Sequence, residues 1–303
     1  MPKISTLSQQ DEEIYMARLS VAAADAILDK EYRVLDKGFV RLVDYMGGDE
    51  RIVQSARVSY AKGTKSVRED RGLIDYLMAH RHTSPFEQVV LLFHCKLPIF
   101  VARQWIRHRT ARVNEISGRY SILEDEFYLP PQEQVRLQSK DNRQGRSSEE
   151  IPQALRQRVL DILLHGQEKA YDEYQELLGD DMARELARIH LPLSLYTQWY
   201  WQIDLHNLFH FLQLRMDYHA QWEIRQYADV MAEMTKAVAP IAYAAFEKHV
   251  LNAVRFSGRE IKALARVMEG QPHGLKGIHA TEFERKLQRI RESAAVPKGK
   301  SGS

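Results

Sequence analysis

Residues 88–109 read QVVLLFHCKLPIFVARQWIRHR. Val89, Leu91, Phe93, Cys95 and Leu97 occupy the odd positions, while Gln88, His94 and Lys96 fall on the even ones. A period of two marks a strand with one buried face. Pro98 then stands where a helix can begin, because its fixed φ and missing N–H are harmless in a first turn. The apolar residues of IFVARQWIRHR recur at helical steps, so a helix follows the strand directly. The chain therefore combines both element types, and the junction delivers a basic segment at its far end.

Upstream, residues from about Gln9 to Asp29 read as an amphipathic helix, with Ile14, Leu19, Ala23 and Ile27 among its apolar positions. A compact body begins near Tyr32. VLDKGFVRLVDYMG (34–47) is strand-like with a turn, and residues 50–80 carry two helical patterns ending in AHRHTSP, closed by Pro85. Downstream, QSKDNRQGRSSEE (138–150) holds no aliphatic or aromatic side chain and predicts a surface loop or insert. A long helix is expected at about 150–178 and a shorter one at about 180–190. LPLSLYTQWYWQIDL (191–205) is aromatic and β-favouring, yet ambiguous between strand and helix. Two further helices are expected at about 205–217 and 219–248. From Arg259 onward ten Lys or Arg face five acids, and PKGKSGS is tail-like.

Composition limits the function classes. A chain of 303 residues can bury a sizeable core without staples. Its 43 basic and 41 acidic side chains cancel to +2, so no broad positive field of the kind that coats nucleic acid is expected, and any electrostatic site must be local. Cys95 is the single cysteine, which excludes an intrachain disulfide and every C-x-x-C zinc framework. The start MPKISTLSQQDEE has acids where a signal peptide needs an apolar run, and the longest apolar stretch, 237–246, is short and interrupted by Pro240. These features predict a cytoplasmic protein outside the membrane. Neither G-x-G-x-x-G nor G-x-S-x-G occurs, and Gly299-Lys300-Ser301 lacks the leading glycine of a P-loop.

RHRTARVNEISGR (107–119), together with Arg103, puts five arginines into seventeen residues opposed only by Glu115. A guanidinium grips phosphate or carboxylate through two parallel hydrogen bonds that lysine cannot reproduce, so an arginine-only cluster favours shaped oxyanions. Asn114, Ser117 and Gly118 add an amide, a hydroxyl and a place for close backbone approach. The bland alternative is a solvated helix face. Further on, His206 and His210, and Arg215 and His219, stand four apart, so that on a helix each pair faces one way. With Asp217 and Glu223, the histidines could hold a metal, although no H-E-x-x-H occurs and no metal is expected. Cys95 lies on the apolar strand face, where a thiol is inert, so it reads as structural.

Arg107, His108 and Arg109, followed after seven residues by Ser117, match R-H-R-x7-S, and the chain here resembles the flavin-dependent thymidylate synthases. The resemblance extends in order through HTSPFE, VARQWIRHR, NEISGRYS, ELARIHLPLSLYTQWYW and LRMDYHAQWEIRQYA. It implies an α+β fold, a mixed-strand sheet with long helices, over a family body at 36–250. A helical extension at 1–35 and a basic extension at 251–303 with a disordered end flank that body. It also implies methylation of dUMP to dTMP with 5,10-methylenetetrahydrofolate as carbon donor, FAD as hydride carrier and NADPH as reductant. A homotetramer with sites shared between subunits is implied as well. Such an enzyme needs no thiol nucleophile, in agreement with a buried Cys95.

By the same resemblance, FAD contacts fall on Ser59, His82, Ser84, Glu87, Arg107, His108, Arg109, Glu115, Asp204, Leu205, His206, His210 and His219. Contacts to dUMP fall on Gln104, Trp105, Ile106, Arg107, Glu115, Ile116, Ser117, Gly118, Arg119, Arg188 and Arg215. Ser117 matches a phosphate ligand rather than a nucleophile, and Arg215 matches the residue that activates the uracil ring. Asp204, His206 and His210 stand where certain members carry asparagine, arginine and asparagine, so individual hydrogen bonds at the adenine end differ between members.

Overall fold

The computed structural model describes residues 19–58, 67–140 and 145–295, and the chain divides into two compact units, 1–247 and 248–303. In the first unit a single helical turn, Ala22–Asp25, leads into β1 (Glu31–Val34) and β2 (Gly38–Met46), followed by α1 (Asp49–Arg57) and α2 (Val67–Ala79). Only the end of the expected helix at 9–29 falls among the described residues, and there it is that one turn. Next come β3 (Val90–Pro98), α3 (Ile99–Trp105), β4 (Arg112–Glu115) and the long α4 (Gln153–Gly179). β5 (Tyr196–Asp204) runs directly into α5 (Leu205–Arg215), and α6 (Trp222–Val238) and α7 (Pro240–Phe246) complete the unit.

The five strands form one antiparallel sheet in the order β1-β2-β3-β5-β4. β3 is central, and its alternation is realised in full: Leu91, Phe93, Cys95 and Leu97 are completely buried, whereas His94 and Lys96 on the other face are half-buried. The ambiguous aromatic stretch is strand because it pairs on both edges. Phe93 faces Trp201 across β3–β5, and Val113 faces Trp201 across β4–β5. β5 thereby presents Trp199 and Trp201 to the helices, where they meet the ring of Trp105 at 5.4 and 5.3 Å between centroids. Phe211 of α5 closes the cluster at 4.8 Å from Trp105. Burying such rings is the largest apolar contribution a core of this kind makes, on the order of 2–3 kcal/mol each.

Two local choices hold helices against this sheet. A Cβ on Gly38 would sit 2.1 Å from the Tyr227 hydroxyl, so only glycine lets α6 approach β2 there; that hydroxyl donates to the Lys96 carbonyl at 2.8 Å. The expected helix at 219–248 is in fact two helices. Pro240 clashes with an α conformation in the residue before it, and Ala239 accordingly leaves the helix at φ −139°. The freed first turn of α7 is satisfied by Asp49, whose carboxylate accepts from the backbone N–H groups of Ile241 and Ala242, both at 2.8 Å.

The second unit contains α8 (Gly258–Met268) and α9 (Ile278–Ala295). Ser257 starts α8 through a capping box with Glu260, and Glu260 also accepts from Lys286 of α9 at 2.6 Å. Phe283 is fully buried against Phe256. The tail-like PKGKSGS end lies outside the described residues. Among the described residues no helix is long and apolar enough to cross a membrane.

Candidate active site

The arginine segment is not a helix face. α3 stops at Trp105, the His108 N–H bonds back to the Trp105 carbonyl at 3.0 Å, and the chain turns into the short edge strand β4. This turn leaves Arg107 and Arg109 exposed and half-buries His108. Asn207, His210 and Arg215 of α5 face it across a cavity of about 530 Å³. The Nε of Arg215 donates to Nε2 of His108 at 3.0 Å, and its Nη2 donates to the Gln104 carbonyl at 3.3 Å. Two anchors on one planar group fix its orientation and leave the remaining N–H donors for a ligand.

His108 can accept that bond only as neutral imidazole. Burial, the Arg215 cation and His210 together push its pKa down to about 4, so it is neutral at physiological pH. The His108 ring is packed edge-on against Phe211 at 4.9 Å, which ties the signature turn to the core. Trp105 and Leu205 are fully buried, so their side chains belong to the core and only their backbone can face a ligand. Ile106 and Ile116 are exposed.

A second group gathers at the far end of β4. The Ile116 N–H donates to the Gln198 carbonyl, and Glu115 accepts from the Thr197 hydroxyl at 2.6 Å. The turn that follows accepts at the Ser117 carbonyl from Tyr120 and Ser121. Gly118 is buried under Arg188: a Cβ there would lie 3.1 Å from its Cδ and 3.3 Å from its Nη1. Ser117, Gly118 and Arg188 are therefore neighbours, while Arg119 pairs with Glu185 at 3.0 Å on the surface. Gln104 turns its amide to Gln221.

The third group is the turn after α2. Arg81, in the left-handed region at φ 58°, reverses the chain, and the His82 N–H bonds to the Leu77 carbonyl at 2.9 Å. His82, Ser84 and Glu87 are exposed on this turn. It is fastened beside Asp204 by the Leu205 N–H to Val89 carbonyl bond at 2.8 Å. Asp204 itself caps α5, accepting from the Asn207 N–H at 2.9 Å and the Asn207 side-chain amide at 2.7 Å. His206 and His210 follow on α5. Ser59 lies outside the described residues. The second and third groups sit at opposite ends of β5, about 20 Å apart at roughly 3.3 Å per residue.

Arg215 and His219 do not share a helix, because α5 ends at Arg215; Asp217 instead accepts from the His219 N–H at 2.9 Å in a local turn. Glu223 is withdrawn from any metal role: it is fully buried, accepting from the Tyr128 hydroxyl at 3.0 Å and from Arg146. Among the described residues no three His, Cys, Asp or Glu side chains converge on a metal position. Cys95 is fully buried, and burial pushes its thiol far above the usual range. Sequence reading does not single out Asn207, which pairs locally with the Asp204 cap, nor Tyr128 and Arg146, which meet Glu223 from distant positions in the chain.

Residues 41–241 match the family model described as "Thymidylate synthase complementing protein", and residues 254–293 match that described as "Thymidylate synthase ThyX C-terminal domain". The chain is similar to a protein named flavin-dependent thymidylate synthase from Treponema denticola, with 63% identity over 265 residues that cover 88% of this chain and 100% of the relative. The chain belongs to the flavin-dependent thymidylate synthase family. A second member, from Thermus thermophilus, is 60% identical over 231 residues, covering 76% of this chain and 83% of the relative. Among solved structures, the UMP/dUMP methylase PolB from Streptomyces cacaoi, crystallised with 5-Br dUMP, matches with a TM-score of 0.65 and 34% identity. That match covers 72% of this chain and 97% of the other. The second matched span, 254–293, contains α8 and most of α9, so the basic segment after residue 250 is part of a family domain and not a mere extension.

Proposed function

We propose that this chain converts dUMP to dTMP by reductive methylation in the cytoplasm, as a homotetramer, with 5,10-methylenetetrahydrofolate as carbon donor, FAD as its flavin and NADPH as reductant. The observation that carries the reading is the fixed guanidinium of Arg215, held by His108 and the Gln104 carbonyl at the edge of the arginine-lined cavity. Family membership supplies the class of reaction, and the chain's residues supply its physical chemistry.

The cavity lining fits a flavin dinucleotide: among the described residues Arg107, Arg109, His108, His210 and the Asn207 amide face it and no carboxylate does, a donor set suited to a pyrophosphate. When bound, the flavin supplies the hydride that completes the new methyl group. The chain itself binds, orients and stabilises charge. Ser117, the backbone at Gly118 and Arg188 form a compact donor set for the dUMP phosphate. Attack by uracil C5 on the methylene carbon requires electron density on the ring, and the resulting negative charge on a ring oxygen is met by the N–H donors of Arg215. Arg215 stays cationic throughout and acts electrostatically, not as a base.

The separation of about 20 Å along β5 between the Ser117 group and the His82 turn supports a site completed by a neighbouring subunit. Light scattering on flavin-loaded protein tests this: a tetramer is expected, and an active monomer contradicts it. For the reaction, the purified protein should show a flavin spectrum that bleaches with NADPH without oxygen. Reoxidation should then depend on dUMP and the folate, with one dTMP formed per cycle. A colourless protein, or bleaching with no dTMP formed, overturns the proposal.

A further inference from the structure

The connection between α5 and α6 is pinned at both ends to a single residue of α3. Arg215, the last residue of α5, donates to the Gln104 carbonyl at 3.3 Å, and Gln221, the residue before α6, accepts from the Gln104 side-chain amide. Between them the chain closes on itself, with the Ala220 N–H donating to the Asp217 carbonyl at 2.9 Å. The two ends meet different groups. The Gln104 carbonyl lies in the last turn of α3, where carbonyls lack a partner within the helix and the dipole favours a cation, so Arg215 suits it. The Gln104 amide ends a flexible side chain, and Gln221 gives it one orientation.

The start of α6 does not itself call for glutamine at 221. An N-cap favours a short side chain, Ser, Thr, Asp or Asn, whose oxygen reaches back to the first turn. Gln221 holds the non-helical N-cap backbone, at φ −56° and ψ 139°, yet its side chain gives no bond to α6. Its carbonyl opens the helix by accepting from the Arg225 N–H at 3.2 Å, while its side chain turns away to α3. Both glutamine side chains are half-buried, where water competes less for a bond between amides. A carboxamide offers two N–H donors and one carbonyl oxygen. With one donor of Gln104 held by Gln221, the other donor and the oxygen remain for a ligand.

We infer that Gln221 is a positioning residue for dUMP: it touches no substrate itself and sets the Gln104 amide in the orientation that meets the nucleotide beside Arg215. The inference rests on the proposed reaction for the contact between Gln104 and dUMP. Gln221→Met keeps the reach and removes the amide, whereas Gln221→Asn keeps the amide and loses the reach, so either variant breaks the bond. Calorimetry with dUMP on flavin-loaded protein, together with steady-state dTMP formation, tests both. The dissociation constant and the KM for dUMP should each rise about tenfold, the worth of one oriented hydrogen bond, with flavin content unchanged. The kcat should stay within about threefold, because Arg215 keeps both of its own bonds. Gln104→Met should cost as much, and adding Gln221→Met to it should cost nothing more. A merely structural Gln221 would lower the melting temperature without that non-additivity. Unchanged dUMP affinity in both Gln221 variants, or losses that add in full in the double variant, overturns the inference. If the variants lose dUMP affinity as expected while the native protein forms no dTMP, the reaction is wrong and the positioning role stands; dTMP formation with unaltered dUMP affinity in the variants means the reverse.

Discussion

Replacing Arg215 with glutamine removes the cation and both anchors in one step. The side chain gives one hydrogen bond of 3.0 Å to His108 and one of 3.3 Å to the Gln104 carbonyl. Each such bond contributes about 0.5–1.5 kcal/mol net, so the folded state should lose roughly 1–3 kcal/mol and still form. Loss of a preorganised donor to developing charge costs far more in the reaction, about two to three powers of ten in rate. The effect should fall on kcat, with the KM for dUMP little changed, because the phosphate is held elsewhere by Ser117 and Arg188. A second readout is independent of turnover. Arg215 is one of the causes that depress His108, so without its charge the imidazole pKa should rise from about 4, while burial and His210 still hold it below the ordinary value. A histidine titration by NMR, a thermal melt and a dTMP assay on the same variant check all three. Turnover close to that of the native protein, or an unmoved His108 titration, refutes the reasoning.

The depressed His108 pKa also sets a pH dependence. Between pH 4 and 6.5 the unfolded chain binds more protons at this site than the folded one, so stability is complete above 6.5 and falls as the pH drops toward about 4. His108→Gln should flatten that part of a melting-temperature profile, and an unchanged profile contradicts the assignment. Removing Arg146 leaves Glu223, 1% exposed, without its cation. Breaking a buried pair in this way costs about 3–5 kcal/mol, so Arg146→Ala should lower the urea midpoint markedly, and adding Glu223→Gln should restore part of the loss. Cys95→Ala should keep full turnover and lose only modest stability; loss of activity from a well-folded variant would revive a thiol mechanism.

The elements readable from sequence were those whose pattern repeats within a few residues. β3 was legible because five odd positions in a row share one buried face, and the strand-to-helix junction because Pro98 marks it. The aromatic stretch of β5 favours a strand by residue type but lacks a clean two-residue alternation, so the sequence alone leaves it undecided. Its pairing with β3 and β4 settles the matter, and that is information held by other segments. The break between α6 and α7 had a local signal in Pro240, but the apolar period runs straight through it and hides the stop. The capping box at Ser257 and Glu260 was equally local and was obscured by the basic composition around it.

At the site, the arginine segment was recognisable by type, whereas its conformation was not. Charge spacing alone is compatible with a helix face, and what makes it a turn and edge strand is pairing with β5 across about ninety residues of chain. The partnership of Arg215 with His108 joins positions 107 residues apart, and Arg146 meets Glu223 across 77. Contacts at such separations leave no periodic trace. The same limit explains why Trp105 and Leu205 match site positions by sequence although both side chains are buried in the core.

A crystal structure with FAD and dUMP bound is the decisive measurement. The flavin pyrophosphate is expected against Arg107 and Arg109, the uracil ring within hydrogen-bonding distance of the Arg215 guanidinium, and His108 still accepting from Arg215. Finding the two ligands in well-defined positions away from these side chains contradicts this placement.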